Sequence, residues 1–216
     1  YDQLEDVQYF EDELHAAVMA AEDAGTYVMV HVYVPEAIRR AIRAGVKSIE
    51  HGQLIDEPTM KLIAEKGVWL SMQPFIGEGN NHYTNPVQQA KHELVVQGTD
   101  RAYQLAKKYG VKLAWGTDLL FSPANARNQN LNIEKMTRWF SNFEILKMIT
   151  HDNAELLALS GRRNPYPGKL GVIEEGALAD LIVVDGNALE DIKVLTDPGK
   201  NMLLIMKDGK IYKNDL

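Results

Sequence analysis

Residues 26–52 read TYVMVHVYVPEAIRRAIRAGVKSIEHG, and this stretch decides the fold. Its opening run, TYVMVHV, is β-branched and apolar and carries His31 near its end. Pro35 then opens PEAIRRAIRAG at the position where a helix tolerates proline, and Gly45 closes it. A second apolar run, VKSIE, leads straight into His51-Gly52. Strand, helix and strand in close succession form a βα repeat, which implies parallel strands joined by right-handed crossovers.

The same pattern extends in both directions. Upstream, EDELHAAVMAAEDA (11–24) places Leu14, Val18 and Ala21 at helical spacing before Gly25. Downstream, DEPTMKLIAEKG reads as a helix begun near Pro58 and ended by Gly67, and VWLSMQPF as a third strand. Residues 76–85 read as an active-site loop and 86–110 as a long helix ending in KKYG. VKLAWGTD is the fourth strand, with Asp118 at its end, and helices are expected over 133–138 and 143–159. Strand–helix connections are longer than helix–strand ones, as in a barrel whose function collects on one face.

After Gly161 the composition changes. RRNPYPGKLG is turn-rich. KLGVIEEGALADLIVVDG and NMLLIMKDGKIYKN read as strands, with Asp208-Gly209 as a hairpin turn and NALEDIKVLTDPGK as a loop between them. The expected division is therefore 1–160, part of a barrel, and 161–216, a β-sandwich segment. So small a β segment is expected to pack against strands lying elsewhere.

The 216 residues are 45% hydrophobic and 25% charged, ordinary for a globular protein, and the net charge of −7 disfavours nucleic-acid partners. There is no cysteine, so thiolate nucleophiles, Cys-type zinc sites and disulfides are excluded. No run reaches the roughly 18 apolar residues of a membrane span. The first residues, YDQLEDVQYFEDEL, lack a signal-type apolar region and an initiating methionine, so Tyr1 is read as an internal position of a longer chain. The compartment stays open.

His31, His51 and Asp118 each end an apolar run. Imidazole and carboxylate together suit Zn²⁺ or a similar divalent ion. Each has a plainer reading: a satisfied core histidine, a loop residue before glycine, and a helix N-cap. Their recurrence at strand ends favours metal. A bound divalent ion lowers the pKa of its water from about 15.7 towards roughly 7, and Asp118 would accept that proton and hand it to a leaving nitrogen. Gln73, before Pro74, reads either as a pocket residue or as core packing. His82 reads as a surface or substrate-touching residue, His15, His92 and His151 as solvent-facing or structural, Arg39 and Arg40 as solvated, and Arg162 and Arg163 as structural.

HVYVPEAIRRAIRAGVKSIEHG, WGTD, NAELLALSG followed by KLGVIEEGALADLIVVDG, and KDGKIY together resemble the amidohydrolase superfamily, in its imidazolonepropionase-like and Xaa-Pro dipeptidase-like branch. The resemblance implies an α/β fold, the C-terminal half of a (β/α)8 barrel (strands five to eight), plus part of a small β-sandwich. It implies metal ligation by His31 and His51 from strands five and six. It assigns Asp118, from strand eight, both metal ligation and proton transfer as the catalytic residue. The family's strand-one His-x-His and strand-four lysine have no counterpart, and no His-x-His occurs in the sequence. Relatives often read HAHG at strand five; here Tyr33 takes the second histidine's place, and in some dipeptidase-like members a tyrosine there contacts the substrate. Tyr33 is therefore expected to bind substrate, and Gln73 is grouped with it.

The implied function is metal-dependent hydrolysis of amide bonds in dipeptides or cyclic amides, with zinc as the expected metal, one or two ions in the full-length protein. Deamination by the same site, or a non-catalytic chain keeping the fold, are the alternatives. The isolated chain is expected to hold metal weakly and to lack turnover. Four strands leave two open edges, so a homo-oligomer or association with the missing N-terminal half is expected.

Overall fold

The computed structural model describes residues 3–77, 83, 85–119 and 123–216. They form two compact units, residues 1–114 with 159–163 and residues 115–158 with 164–216. The division falls after residue 114, whereas composition placed it at 160/161. The helices that follow residue 115 group with the β tail, and polar side chains bridge the two. Asn130 Nδ2 donates to Leu195 O at 2.8 Å and Asn142 Nδ2 to Leu189 O at 3.1 Å.

In the first unit α1 (Glu11–Asp23), β1 (Met29–Val32), α2 (Pro35–Ala44), β2 (Ser48–His51), α3 (Glu57–Lys66), β3 (Trp69–Met72), α4 (Pro86–Tyr109) and β4 (Leu113–Trp115) alternate. The sheet order is β1-β2-β3-β4. β1 and β2 pair in parallel with Met29 opposite Ser48, and β2 and β3 in parallel with Ser48 opposite Trp69. Leu70 N–H donates to Lys112 O at 2.9 Å, tying β3 to the chain entering β4. Proline stands in the first turn of α2, α3 and α4, and Gly45, Gly67 and Gly110 end them, as the sequence indicates. Asp56 and Asn85 cap α3 and α4 by accepting from backbone N–H groups. Ile38, Ile49, Ile55, Met60, Ile63, Leu70, Met72 and Tyr103 are fully buried and make up the core.

The end of α1 is completed from far along the chain. Its last turn contains no basic residue. Instead Arg162 Nη2 donates to Asp23 O at 3.1 Å and Arg163 Nε to Ala24 O at 3.2 Å. These guanidinium groups satisfy terminal carbonyls and oppose the negative end of the helix. The structural reading of both arginines thus has a definite content.

The second unit begins with α5 (Pro123–Ala126) and α6 (Leu131–Lys135), which runs into a 3₁₀ turn at Met136–Arg138. α7 (Asn142–Lys147) opens on a Ser141–Glu144 capping box. The helix expected over 143–159 is interrupted by a π turn at Met148–Asp152 before α8 (Asn153–Ala158). In the tail, β5 (Leu181–Val184), α9 (Pro198–Asn201), β6 (Met202–Lys207) and β7 (Lys210–Asn214) follow. The three strands form one antiparallel sheet, β5-β6-β7. The tail strands therefore pair with one another. Of KLGVIEEGALADLIVVDG only Leu181–Val184 is strand, since Gly171 and Gly176 turn the chain before it. The loop 187–200 contains the 3₁₀ turn Ile192–Leu195, which buries Ile192 and Leu195. Among the described residues no helix is long and apolar enough to cross a membrane.

Candidate functional site

The site is built at the C-terminal ends of β1 and β2. In a regular parallel pair, residues in register point to the same face. Val32 is in register with His51, and His31 with Glu50. Strict alternation would thus turn His51 to the face of buried Val32, away from His31. His51 escapes the alternation because its φ is +81°. Its ring lies 4.4 Å, centroid to centroid, from that of His31, edge to face, and stacks on Tyr33 at 4.8 Å. His31 and Tyr33, two residues apart on β1 and its continuation, share a face with ring centroids 5.2 Å apart.

Among the described residues, non-glycine positive φ occurs at His51, Asp118 and the hairpin residue Asp208. Two of these three are candidate site residues. Backbone held in this sparsely populated region tends to gather at functional sites. Gly52, after His51, also has positive φ (+74°), and a Cβ there would come within 2.9 Å of Leu70 Cδ1.

His51 is only 4% exposed and its Nδ1 lies 2.7 Å from Gln73 Oε1. The same oxygen accepts from Gln53 Nε2 at 3.4 Å. Gln73, at the end of β3, is 5% exposed and Gln53 1%. Gln53 is held by α4: Gly98 brings the helix so close that a Cβ there would lie 2.3 Å from Gln53 O. A glycine inside a helix is unfavourable by about 1 kcal/mol relative to alanine, and this close approach is its reason here. A cleft of about 160 Å³ borders His31 and Tyr33, with Val34, Ala37, Leu4 and Tyr9 among its walls.

Asp118 belongs to the other unit, follows β4, is exposed and has φ +50°. The end of β4 is held by Asn153. Its Nδ2 donates to Trp115 O at 3.0 Å, and Trp115 N–H donates to its Oδ1 at 2.9 Å. Sequence reading missed this residue. Its signal was Asn153 ahead of the run AELLAL, which composition alone reads as a helix cap. Of the other histidines, His92 is half-buried beside Phe75 and Tyr83, and burial holds its pKa below the ordinary value. His15 Nδ1 lies 3.4 Å from Ala44 O, and His151 Nδ1 lies 3.0 Å from Asp152 Oδ1. His82 lies outside the described residues.

Two imidazoles brought together at adjacent strand ends offer nitrogen donors that fit zinc or a similar divalent ion. Among the described residues no group of three or more His, Cys, Asp or Glu side chains is gathered in one place. His31 and His51 thus fit as two donors of a set.

Active sites of parallel α/β barrels lie at the C-terminal ends of their strands, and that is where His31 and His51 stand here. The chain belongs to the amidohydrolase family, whose sequence profile matches residues 3–212. Ochratoxinase of Aspergillus niger is 32% identical over 210 residues, covering 95% of this chain and 42% of that protein. A prolidase solved with N-methylphosphonate-L-proline superposes with a TM-score of 0.87 at 36% identity, over 99% of this chain and 51% of the other. A Xaa-Pro dipeptidase with methionine bound in its active site gives 0.80 at 32% identity, over 96% and 50%. The chain spans about half the length of these relatives, or slightly less.

Proposed function

We propose that the protein carrying this chain is a metal-dependent hydrolase of amide bonds in dipeptide-like or cyclic amide substrates. On this reading β1 to β4 are barrel strands five to eight. His31 and His51 hold a divalent metal, zinc foremost, with Asp118 as the carboxylate of the set. The observation that carries the reading is the left-handed His51 backbone, which turns this imidazole onto the face of His31. When bound, the metal would supply a nucleophile at neutral pH and polarise the scissile carbonyl.

The remaining work falls to the chain's own residues. The Asp118 carboxylate accepts a proton from the attacking water and passes it to the leaving nitrogen. Tyr33, stacked on His51 and bordering the cleft, contacts the substrate carboxylate or carbonyl. The open edge of β1 is taken up by further strands, from another part of the protein or from a second copy. The prolidase and dipeptidase relatives support Xaa-Pro dipeptides as the first substrates to try.

The test is a panel of Xaa-Pro dipeptides, N-acyl amino acids and cyclic amides on the full-length protein, with and without chelation. His51→Asn is the variant of choice, because asparagine tolerates positive φ while lacking the imidazole. We expect chelator-sensitive hydrolysis, abolished in His51→Asn and reduced by several orders of magnitude in kcat in Asp118→Asn. Near wild-type turnover in Asp118→Asn overturns the role of Asp118, and chelator-insensitive hydrolysis overturns the metal.

A further inference from the structure

We infer that Gln73 is a positioning residue that fixes the tautomer of His51, placing the proton on Nδ1 and leaving the Nε2 lone pair as the donor. A glutamine Oε1 can only accept, so the 2.7 Å contact requires a proton on His51 Nδ1. A neutral imidazole carrying its proton there has its lone pair on Nε2.

The orientation of the Gln73 amide decides the case, and Gln53 fixes it. Gln53 Nε2 also donates to Gln73 Oε1. Turning Gln73 alone would set its amino group against that of Gln53, donor facing donor. Turning both amides would preserve the contact but put the Gln53 amino group where its Oε1 now stands. That buried oxygen has no partner among the described residues. Two orphaned N–H donors are worse than one orphaned carbonyl, for which burial without a partner is the less rare case. The observed arrangement is the favoured one, and it makes Gln73 Oε1 the acceptor from two buried donors. Gly98, by admitting the Gln53 backbone against α4, holds the second of those donors in place.

The consequence for metal binding rests on the proposed function above; the consequence for the tautomer does not. Histidine ligands are oriented by the partner of the other ring nitrogen, and loss of that partner lowers metal affinity about 10–100-fold. A neutral amide in this place orients the ring without adding negative charge.

The experiment uses nitrogen-15 NMR of the histidine rings of the full-length protein, metal-free and at mildly alkaline pH, with His51→Asn to assign the His51 signals. In the wild type we expect a pyrrole-type shift for His51 Nδ1 and a pyridine-type shift for Nε2. Gln73→Glu, which keeps an acceptor, should preserve this pattern. Gln73→Leu and Gln73→Met, which lack one, should lose it. An Nε2-protonated ring in the wild type, or an unchanged Nδ1-protonated ring in a folded Leu or Met variant, overturns the proposal. The wild-type spectrum alone decides if neither apolar variant folds. Zn²⁺ titration adds the second arm, with a 10–100-fold weaker Kd expected for Gln73→Met and near wild-type affinity for Gln73→Glu. If the tautomer behaves as stated but Zn²⁺ affinity does not change, Gln73 sets the ring and the metal reading of His51 is what fails.

Discussion

Gly52 shows how much the site depends on backbone that side chains resist. Its φ of +74° follows the +81° of His51, and any Cβ would press on the buried Leu70 side chain. Gly52→Ala should therefore destabilise the fold by about 1–3 kcal/mol, the range for a residue forced into such a conformation. A urea midpoint unchanged from wild type would refute this. His31, His51 and Asp118 were legible as polar residues ending apolar runs. What the sequence did not reveal is where His51 points. A period of two assigns it to the face of Val32, and only the left-handed φ redirects it. The role of Gln73 was equally hidden, because its partner lies 22 residues away on another strand.

Among the elements, β4 is held at its end by a side chain of α8. Asn153 grips both backbone polar groups of Trp115, three residues before Asp118. Asn153→Ala should cost about 1–3 kcal/mol, because it strands partly buried donors and acceptors. Equal thermal stability of variant and wild type would show the grip to be idle. Helices α2, α3 and α4 were legible because proline and glycine mark their ends by mechanism rather than by propensity. The π turn at Met148–Asp152 was not, since no sequence period separates it from the α-helix on either side. The chain at Gly171 packs against this turn: a Cβ there would lie 2.7 Å from Thr150 O. The β tail was half legible. The Asp208-Gly209 hairpin, which pairs β6 with β7, stands as read, whereas the pairing of β5 with β6 across the intervening loop is not encoded in composition.

At the scale of the molecule, two properties can be measured directly. The first is acid response. Lys108 at 2.6 Å and the Tyr109 hydroxyl hold the Glu57 carboxyl down to about 2 from an ordinary 4.5. The folded carboxyl then stays ionised where the unfolded one takes up its proton. This contribution to stability is complete above about 4.5 and disappears as pH falls through 2. Glu57→Gln should flatten the dependence of Tm on pH within that window; an unaltered slope would count against the pairing. The second property is association. The proposal that the edge of β1 is covered by other strands predicts that residues 1–216 by themselves associate, with a mass above that of one chain in light scattering at micromolar concentration. A cooperatively unfolding monomer would contradict it. Finally, the arginines that finish α1 carry a consequence for how the molecule is made. Arg162 and Arg163 come 139 residues after the carbonyls that they bind. At about 5–20 residues per second on the ribosome, they follow α1 by on the order of ten seconds. For that interval the nascent chain presents a helix whose last turn is acidic, with Glu22 and Asp23, and has no counter-charge of its own. The helix is thus completed only once residues 162 and 163 have been made, and its closure records that translation has passed residue 163.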